Sequence, residues 1–419
     1  MMVIEANTSV LGRQVADTMD ADSLVSLAES FRDRLRAEQE QTEIRGCYSP
    51  EIHEEFTKAG FYRILQPRRF GGLEMSVTTF YRVVMALGRG CPSTAWCFSL
   101  GAGHALVVGS HWNEDAQRAI FGDGHFVAPH RGVATGKLVR EQGGYRVNGT
   151  WNYCSGVPYA THVLVGASIV DADGNEEPGI QVAVVPISQC EILDDWGNGQ
   201  MLGLNGTGSF SVTVKDGFIP EDWVVPFDWH NKDLSNGTPG TRLHGNPMYL
   251  GRNMSFYGGE IIASMAGLGR AAVDAAEDVL RTRKTLVGPP MPRAENPDFL
   301  RYFGHSLGQV HCAEELVLRA GDRYAEVCKD WADGVSDFSE ADDVAINSLL
   351  IHAAELVDEA TRRLFATAGS REAHRSAPLQ RYVRDIMTQR SHLAGWGTLA
   401  NMGELRGRVE VTGTGITPG

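Results

Sequence analysis

Residues 144–156 read GYRVNGTWNYCSG and mark the point where the pattern of the chain changes. Up to about Phe121, apolar residues recur at helical spacing with short interruptions. From Tyr145 onward the chain consists of short β-branched or alternating runs, separated by clusters of Gly, Asp and Asn. The runs are Tyr145–Thr150, Val163–Ile169, Gln181–Pro186 and Ser209–Val214. They predict an antiparallel β domain of about a hundred residues, a common domain size.

Helical patterns lie on both sides of this β region. From Asp22 an amphipathic surface helix is predicted by an apolar face made of Leu24, Leu27, Ala28, Phe31 and Leu35. After the β region, a long helix ending near Gly369 is predicted by one apolar stripe, made of Ile346, Leu350, Ala354, Val357, Ala360 and Leu364. Residues 227–247 are rich in Asn, Gly, Pro and charge, which indicates a surface connection.

The order α, β, α differs from the strand and helix alternation of a doubly wound nucleotide-binding sheet. The motif Gly267-Leu268-Gly269 superficially matches a dinucleotide fingerprint, but it lies inside a helical pattern with no strand before it. We therefore expect these glycines to serve close helix packing. Gly197-Asn198-Gly199 is expected to form a turn between strands.

Composition argues against several classes of function. Lysine and arginine total 38 against 52 acidic residues, so the net charge is -14 and no basic cluster offers a surface for nucleic acid. No apolar run is long enough to span a membrane, and the first twenty residues lack the apolar core of a secretory signal. The seven cysteines are scattered without a C-x-x-C motif, which is typical of reduced thiols. We expect a cytoplasmic protein without a metal site.

Three segments together resemble the acyl-CoA dehydrogenase superfamily, in the order that the family shows them. Residues 60–72, GFYRILQPRRFGG, are similar to the turn that follows the early helices of the family. Residues 144–156 resemble the strand and flavin-contacting loop of its β domain. Residues 203–209, GLNGTGS, and then Val214 through Pro220 resemble the segment that leaves that domain.

The resemblance implies an α+β fold in three parts. These are an N-terminal α-helical domain (residues 1–125), a middle antiparallel β domain with the flavin-contacting loop (126–228), and a connection followed by a C-terminal four-helix bundle (229–419). It also implies a homotetramer in which the C-terminal helices pack together. The stripe from Ile346 to Leu364 is compatible with such an interface, but equally with a core inside one chain.

The stretch after Arg384 and Asp385 decides the branch of this family. In the dehydrogenases a catalytic glutamate commonly follows such a pair, whereas residues 386–397, IMTQRSHLAGWG, contain no carboxylate and have His392 instead. This resembles the two-component (group D) flavin-dependent monooxygenases, such as the oxygenase components of 4-hydroxyphenylacetate and resorcinol hydroxylases. Near neutral pH an imidazole can take a phenol proton or hydrogen-bond a peroxide, so His392 is the predicted acid-base residue.

Three further residues are predicted to contact the substrate. Trp96 and His104 repeat a pattern of the same hydroxylases, in which the indole walls an aromatic pocket and the histidine donates to a phenolate or carboxylate. Where the 4-hydroxyphenylacetate enzymes carry a substrate-contacting serine, this chain has His130. Trp96 and His104 could also be plain core residues.

Four residues are predicted to bind the flavin. By its place in the loop, Ser155 is expected to be the hydrogen-bond partner of flavin N5, which would slow the elimination of hydrogen peroxide. A turn-capping role is the alternative. Trp151 is expected to pack on the flavin ring or to be a core residue of the β domain. Arg281 and Arg283 resemble the place where the superfamily contacts a flavin phosphate, a contact that another subunit completes; a solvated helix face is their alternative.

The resemblance thus implies an enzyme that takes reduced FMN or FAD from a separate NAD(P)H flavin reductase and uses O2 as cosubstrate. It would hydroxylate a small phenolic or indolic substrate through a C4a-hydroperoxyflavin. Oxygen transfer to nitrogen or sulfur on the same fold remains an alternative. An acyl-CoA dehydrogenase with its base elsewhere is less favoured, because the glutamate is missing. A non-catalytic role is disfavoured by the presence of Ser155 and His392.

Overall fold

The computed structural model describes residues 19–122, 124–171, 173–229, 232–392 and 398–413. Residues 1–18, where we expect no secretory signal, lie outside this part. Before the first strand the chain is helical, as the sequence predicts. The helices are α1 (Ala21–Ser30), α2 (Arg32–Arg45), α3 (Pro50–Lys58), α4 (Val77–Gly90), α5 (Pro92–Ala102), α6 (Ala105–His111) and α7 (Glu114–Phe121).

The predicted amphipathic helix after Asp22 is present as α1 and α2, which meet at Phe31. Asp20 caps α1, because its carboxylate accepts a hydrogen bond from the backbone N–H of Ser23 at 2.8 Å. The apolar face is buried, with Leu24 fully covered and Leu35 nearly so. Both helices pack on α4, which lies between them and the C-terminal helices.

The middle region is one mixed sheet. Its strands are β1 (His130–Glu141), β2 (Gly144–Trp151), β3 (His162–Val170), β4 (Gln181–Pro186), β5 (Cys190–Ile192), β6 (Val212–Pro220) and β7 (Val224–Pro226). Their order is β5-β6-β2-β1-β3-β4-β7. Neighbouring strands are antiparallel except β1 and β3, which run parallel.

The expectation of a purely antiparallel domain is therefore corrected. Strand β1 forms the parallel pair. The sequence did not reveal it because most of its side chains are at least partly exposed, and the exposed positions include the apolar residues Val133 and Val139, so the residue types do not alternate with burial. The predicted strand Ser209–Val214 is also corrected, since β6 begins only at Val212. Ser209 instead belongs to the loop that precedes the strand.

After β7 the chain is again helical. The helices are α8 (Pro239–His244), α9 (Met254–Thr282), α10 (Pro297–Ala332), α11 (Glu340–Ala368), α12 (Pro378–Ser391) and α13 (Thr398–Thr412). Helices α9, α10, α11 and α12 pack together as the predicted bundle. The stripe from Ile346 to Leu364 is buried in this packing, and Gly369 follows the end of α11 as predicted. The stripe thus forms part of a core inside the chain.

Two local expectations have different outcomes. Gly267 lies in the middle of α9, where a Cβ atom would come within 2.7 Å of the Cα of Gly88 on α4, so its predicted role in close helix packing is confirmed. The predicted surface connection over residues 227–247 is corrected, because it contains helix α8 and buries Trp229 to 2% exposure. In the part of the chain that the structure describes, no helix combines the length and apolar character needed to cross a membrane.

Candidate functional site

Ser155 lies in a tight turn after β2, pressed against α5. Gly156 has a φ angle of 93°, and a Cβ atom there would lie 2.7 Å from the carbonyl oxygen of Cys97, so the turn requires glycine. The backbone N–H of Gly156 lies 3.2 and 3.1 Å from the carbonyl oxygens of Thr207 and Gly208. The turn therefore sits directly against the loop of residues 203–209.

The Ser155 side chain begins a row of four oxygen atoms, which we call the hydroxyl chain. Its Oγ lies 2.7 Å from Oγ of Ser209, which lies 2.7 Å from Oγ1 of Thr207. The Thr207 hydroxyl donates to the backbone carbonyl of Leu204 at 2.8 Å. All four residues are buried. Ser155 therefore has a partner beyond its own turn, which a turn-capping role alone does not explain.

Asp385 on α12 fixes the far end of the hydroxyl chain. Its Oδ1 accepts a hydrogen bond from the backbone N–H of Leu204 at 2.6 Å. Leu204 has a φ angle of 57°, a conformation that needs such support in a residue other than glycine. Burial raises the pKa of Asp385 to about 7. Asp385, the acidic member of the Arg-Asp pair noted in the sequence, thus anchors the loop of residues 203–209 to the helix that ends beside His392.

His392 follows α12 and meets Trp96 on α5. The two rings pack edge to face, with centroids 5.5 Å apart and an interplanar angle of 86°. Burial, and secondarily the positive charge of Arg131, lowers the pKa of His392 to about 4, so the imidazole is neutral at pH 7. Burial raises the pKa of Cys154, next to Ser155, to about 12, and Arg131 opposes this effect. The guanidinium of Arg131 lowers the pKa of both His392 and Cys154, so it lies near both residues. His392 is therefore close to the Ser155 turn.

His104 is held between a backbone carbonyl and a buried carboxylate. Its Nδ1 lies 2.7 Å from the carbonyl oxygen of Ala128, and its Nε2 lies 3.0 Å from Oε1 of Glu260 on α9. Neither His104 nor Glu260 is more than 2% exposed. Both ring nitrogens are engaged within the protein, so the predicted donation by His104 to a phenolate or carboxylate stays a prediction and would require the ring to leave Ala128 or Glu260. Glu260 was not among the residues predicted from the sequence.

His130 lies beside this pair, in an aromatic surrounding. Its ring centroid is 5.6 Å from that of His104, and its Nδ1 lies 2.8 Å from the hydroxyl of Tyr257. Burial holds the pKa of His130 well below its usual value. Trp229 lies against both residues, with ring centroids 5.9 Å from His130 and 6.3 Å from Tyr257. Nε2 of His130 and Oε2 of Glu260 are buried without a hydrogen-bond partner among the described residues.

The remaining predicted residues lie elsewhere. Trp151 is fully buried in the core of the sheet, where its indole N–H donates to the carbonyl of Gly166 at 2.8 Å. Its surface is not accessible to a flavin ring, so the alternative of a core tryptophan is the correct one. Arg281 is exposed and pairs with Glu277, and Arg283 pairs with the buried carboxylate of Glu372. About twenty residues of α9 separate them from Glu260, roughly 30 Å along the helix axis, so they do not join the site within one subunit.

Comparison with known families identifies the fold independently. The N-terminal domain of acyl-CoA dehydrogenase matches residues 21–121, and the C-terminal domain of acyl-CoA dehydrogenase matches residues 261–395. The chain belongs to the acyl-CoA dehydrogenase superfamily. XiaF from Streptomyces sp., solved in complex with FADH2 and glycerol, superposes with a TM-score of 0.84 at 24% identity over 95% of this chain and 97% of that one.

The curated relatives are monooxygenases. A pigment production hydroxylase of Rhodococcus sp. is 27% identical over 88% of this chain and 91% of its own length. The oxygenase subunit HsaA of a flavin-dependent monooxygenase of Mycobacterium tuberculosis is 25% identical over 90% of this chain and 92% of its own length. These relatives confirm the predicted branch and enzyme class, a flavin-dependent monooxygenase of this superfamily.

Ser155 fits a flavin. Its hydroxyl is buried, yet its oxygen makes one side-chain hydrogen bond among the described residues and so retains capacity to accept another. The flavin-binding expectation thus agrees with the hydrogen-bond inventory of the turn.

Proposed function

We propose that this chain is the oxygenase component of a two-component system and hydroxylates a small phenolic or indolic substrate. Reduced FMN or FAD would come from a separate NAD(P)H flavin reductase, and O2 would be the cosubstrate, reacting through a C4a-hydroperoxyflavin. The observation that carries the proposal is the neutral imidazole of His392 against Trp96, at the place where the dehydrogenases commonly have a catalytic glutamate.

His392 has the properties of a weak base for a phenol. Since burial lowers its pKa to about 4, the ring is neutral over the physiological range and can accept a hydrogen bond from a phenol or indole N–H. A carboxylate at this place would bring a negative charge into a site where a phenolate forms. Trp96 packs against His392 and adds an aromatic ring beside it. Both features favour an aromatic substrate over an acyl thioester.

Ser155 is the proposed contact to flavin N5, and the buried groups around it would exclude water. Bound reduced flavin would supply the electrons and the site of dioxygen activation. The protein's part is to hold Ser155 through the hydroxyl chain and to keep the surroundings dry, because water would promote loss of the activated oxygen as peroxide.

His130 and Tyr257 are the proposed far wall of the substrate pocket. Nδ1 of His130 and the hydroxyl of Tyr257 are 2.8 Å apart, and the indole of Trp229 stacks on Tyr257. Together the three rings form an aromatic surface beside the His104–Glu260 pair. His104 then acts on the substrate side only through Glu260, whose Oε2 has no partner among the described residues. Because a carboxyl oxygen without a proton accepts hydrogen bonds, this free oxygen favours substrates that carry hydrogen-bond donors.

The assembly is part of the proposal. We propose a cytoplasmic homotetramer built from the three predicted domains, with Arg281 and Arg283 contacting a flavin phosphate beside a second subunit. Leu286 and Val287, just after α9, are about nine-tenths exposed and lie next to these arginines, which supports an interface there. Sedimentation of the active protein tests this, and a fully active monomer would remove it.

Oxygen incorporation tests the proposed reaction. The protein would be supplied with reduced FMN or FAD, a flavin reductase and ¹⁸O2, together with phenols, indoles, amines and thioethers. We expect one ¹⁸O atom in the product of an aromatic substrate. Label on nitrogen or sulfur would favour the alternative oxygenase, and bleaching of bound oxidised flavin by an acyl-CoA without any label would favour a dehydrogenase.

A further inference from the structure

The contacts of the hydroxyl chain also determine the direction of its hydrogen bonds. Four oxygen atoms, from Ser155, Ser209, Thr207 and the carbonyl of Leu204, make three successive contacts of 2.7, 2.7 and 2.8 Å. Oxygen atoms this close must have a hydrogen between them. Each contact therefore uses one proton.

Counting protons gives the direction of every hydrogen bond. Each of the three hydroxyls has one proton to donate, and the carbonyl of Leu204 has none. Thr207 must donate to that carbonyl, so Ser209 must donate to Thr207. Ser155 must then donate to Ser209. No other assignment places one proton in each of the three contacts.

With the hydrogen bonds in this direction, Ser155 can only accept from a further partner. Its only hydroxyl proton is committed to Ser209, so its oxygen presents lone pairs to any further partner. Ser155 can accept a hydrogen bond, but it cannot donate one without breaking the chain. The flavin atom that the proposed function assigns to it, N5, is a hydrogen-bond donor when flavin is reduced and an acceptor when flavin is oxidised.

The surroundings hold the chain in place. Thr207 and Ser209 are 1% and 4% exposed, so water cannot readily replace a member. Asp385 pins Leu204 from the other side through its backbone N–H, and Gly203 packs so closely on α12 that a Cβ atom would lie 2.3 Å from the carbonyl of Arg384. The carbonyl that sets the direction of the chain is thus fixed to the C-terminal bundle.

We propose that Thr207 and Ser209 are positioning residues that keep Ser155 a hydrogen-bond acceptor, so that the site selects reduced over oxidised flavin. The proposal rests on the proposed function, in that Ser155 faces N5. An oxygenase that receives reduced flavin from a separate protein and must release it oxidised benefits from such a difference. The hydroxyl direction supplies it without any movement of the backbone.

Flavin binding, rather than turnover, tests this proposal. Kd values of the full chain for oxidised FMN and FAD would be measured by absorbance or fluorescence, and those for the dithionite-reduced forms under anaerobic conditions. In Ser209→Ala the proton of Ser155 is released, so the serine can donate to oxidised flavin. We expect the ratio of the oxidised to the reduced Kd to fall on the order of tenfold, the effect of one hydrogen bond.

Three further variants show whether Ser209 acts through Ser155. Thr207→Val removes the hydroxyl at nearly constant shape and is expected to lower the ratio, whereas Thr207→Ser keeps the hydroxyl and the ratio. In the Ser155→Ala background, Ser209→Ala should have no further effect on the ratio. Circular dichroism and thermal unfolding identify any variant that fails to fold. If Ser209→Ala fails to fold, the comparison of Thr207→Val with Thr207→Ser tests the proposal instead.

The outcomes separate this proposal from the proposed function. If Ser155→Ala changes the ratio but neither Ser209→Ala nor Thr207→Val does, the hydroxyl chain does not set the direction and the proposal is wrong. If wild type binds no flavin in either state, both proposals are wrong. If the ratio responds as expected but no substrate takes up oxygen, the positioning role stands and only the proposed reaction is removed.

Discussion

The hydroxyl chain and the His104–Glu260 pair are both buried polar systems, but they differ in how firmly their protons are assigned. In the hydroxyl chain three contacts use three protons, so every direction is fixed. In the pair, Nδ1 of His104 must donate to the carbonyl of Ala128, and one proton lies between Nε2 and Oε1 of Glu260. That proton can sit on either atom, because both arrangements satisfy the contact.

The difference shows which groups remain available to a ligand. The first system ends in a serine that can only accept, and the second ends in Oε2 of Glu260, which has no partner among the described residues. Both systems thus end in an oxygen that accepts from a ligand, but the hydroxyl of Ser155 is neutral, whereas the charge of Glu260 depends on the position of the shared proton. The type of residue alone, a serine or a histidine, does not reveal either property.

Removing the carboxylate gives the largest expected effect. Glu260→Ala leaves the Nε2 of His104 buried without a partner, and we expect the free energy of unfolding to fall by about 3–5 kcal/mol. Glu260→Gln keeps a hydrogen-bonding group at this place and should cost no more than about 1 kcal/mol. Urea unfolding measures both. Equal losses for the two variants would show that the hydrogen bond to Nε2 of His104 does not account for the loss of stability.

Replacing His392 affects the reaction rather than stability. We expect His392→Asn to lower product formed per flavin oxidised about a hundredfold, the lower range for loss of an acid-base group, while flavin Kd is unchanged. His352→Asn is the matched control, since His352 lies exposed on α11. Because the pKa of His392 is about 4, the wild-type rate should show no titration of this group between pH 5.5 and 8. Unchanged coupling in His392→Asn would remove the acid-base role.

Asp385, which anchors the hydroxyl chain, is expected to make the stability of the fold depend on pH. Burial raises the pKa of Asp385 in the folded chain to about 7, above the value of 3.8 for an exposed Asp, so the folded state favours the protonated carboxyl. Its contribution to stability is present below about pH 4 and is lost as pH rises towards 7. Asp385→Asn should therefore gain stability relative to wild type between pH 4.5 and 8. Asp298→Asn, at an exposed site, should show no such trend in urea unfolding.

The smallest expected effect is at the wall beside the His104–Glu260 pair. Tyr257→Phe removes the hydroxyl that contacts Nδ1 of His130, and we expect a loss of about 1 kcal/mol in unfolding free energy. Tyr302→Phe, at a half-exposed tyrosine on α10, serves as the control. A loss as large as that of Glu260→Ala would mean that the whole wall, and not the pair alone, depends on this contact.

The sequence predicted the order of the helical and β regions well, because hydrophobic spacing reports local burial. It did not reveal β1 or its parallel pairing with β3, since pairing direction depends on how the chain returns across the sheet and β1 buries few side chains. Trp151 illustrates a related limit: a tryptophan next to a binding loop and one in a sheet core have the same sequence context.

In the candidate site, the sequence motifs identified Ser155, His392 and Trp96, which the structure has on neighbouring elements. The motifs could not predict the hydrogen-bond partners of these residues. Glu260 was missed, although a signal existed. It is a single acidic residue in the stretch from Phe256 to Ala263, flanked at helical spacing by uncharged residues, as a buried carboxylate would be. Its pairing with His104 crosses 156 residues of chain and is visible only in three dimensions.

In the proposed reaction, this chain holds activated oxygen on reduced flavin and delivers it to an aromatic ring beside His392. Stopped-flow absorbance tests it most directly, by mixing anaerobic protein with bound reduced FMN or FAD against oxygenated buffer, with and without candidate phenols and indoles. We expect a long-lived oxygenated flavin that decays faster with the true substrate and has a shorter lifetime in Ser155→Ala. Reoxidation in a single step without an intermediate, at the rate of free flavin, would contradict it.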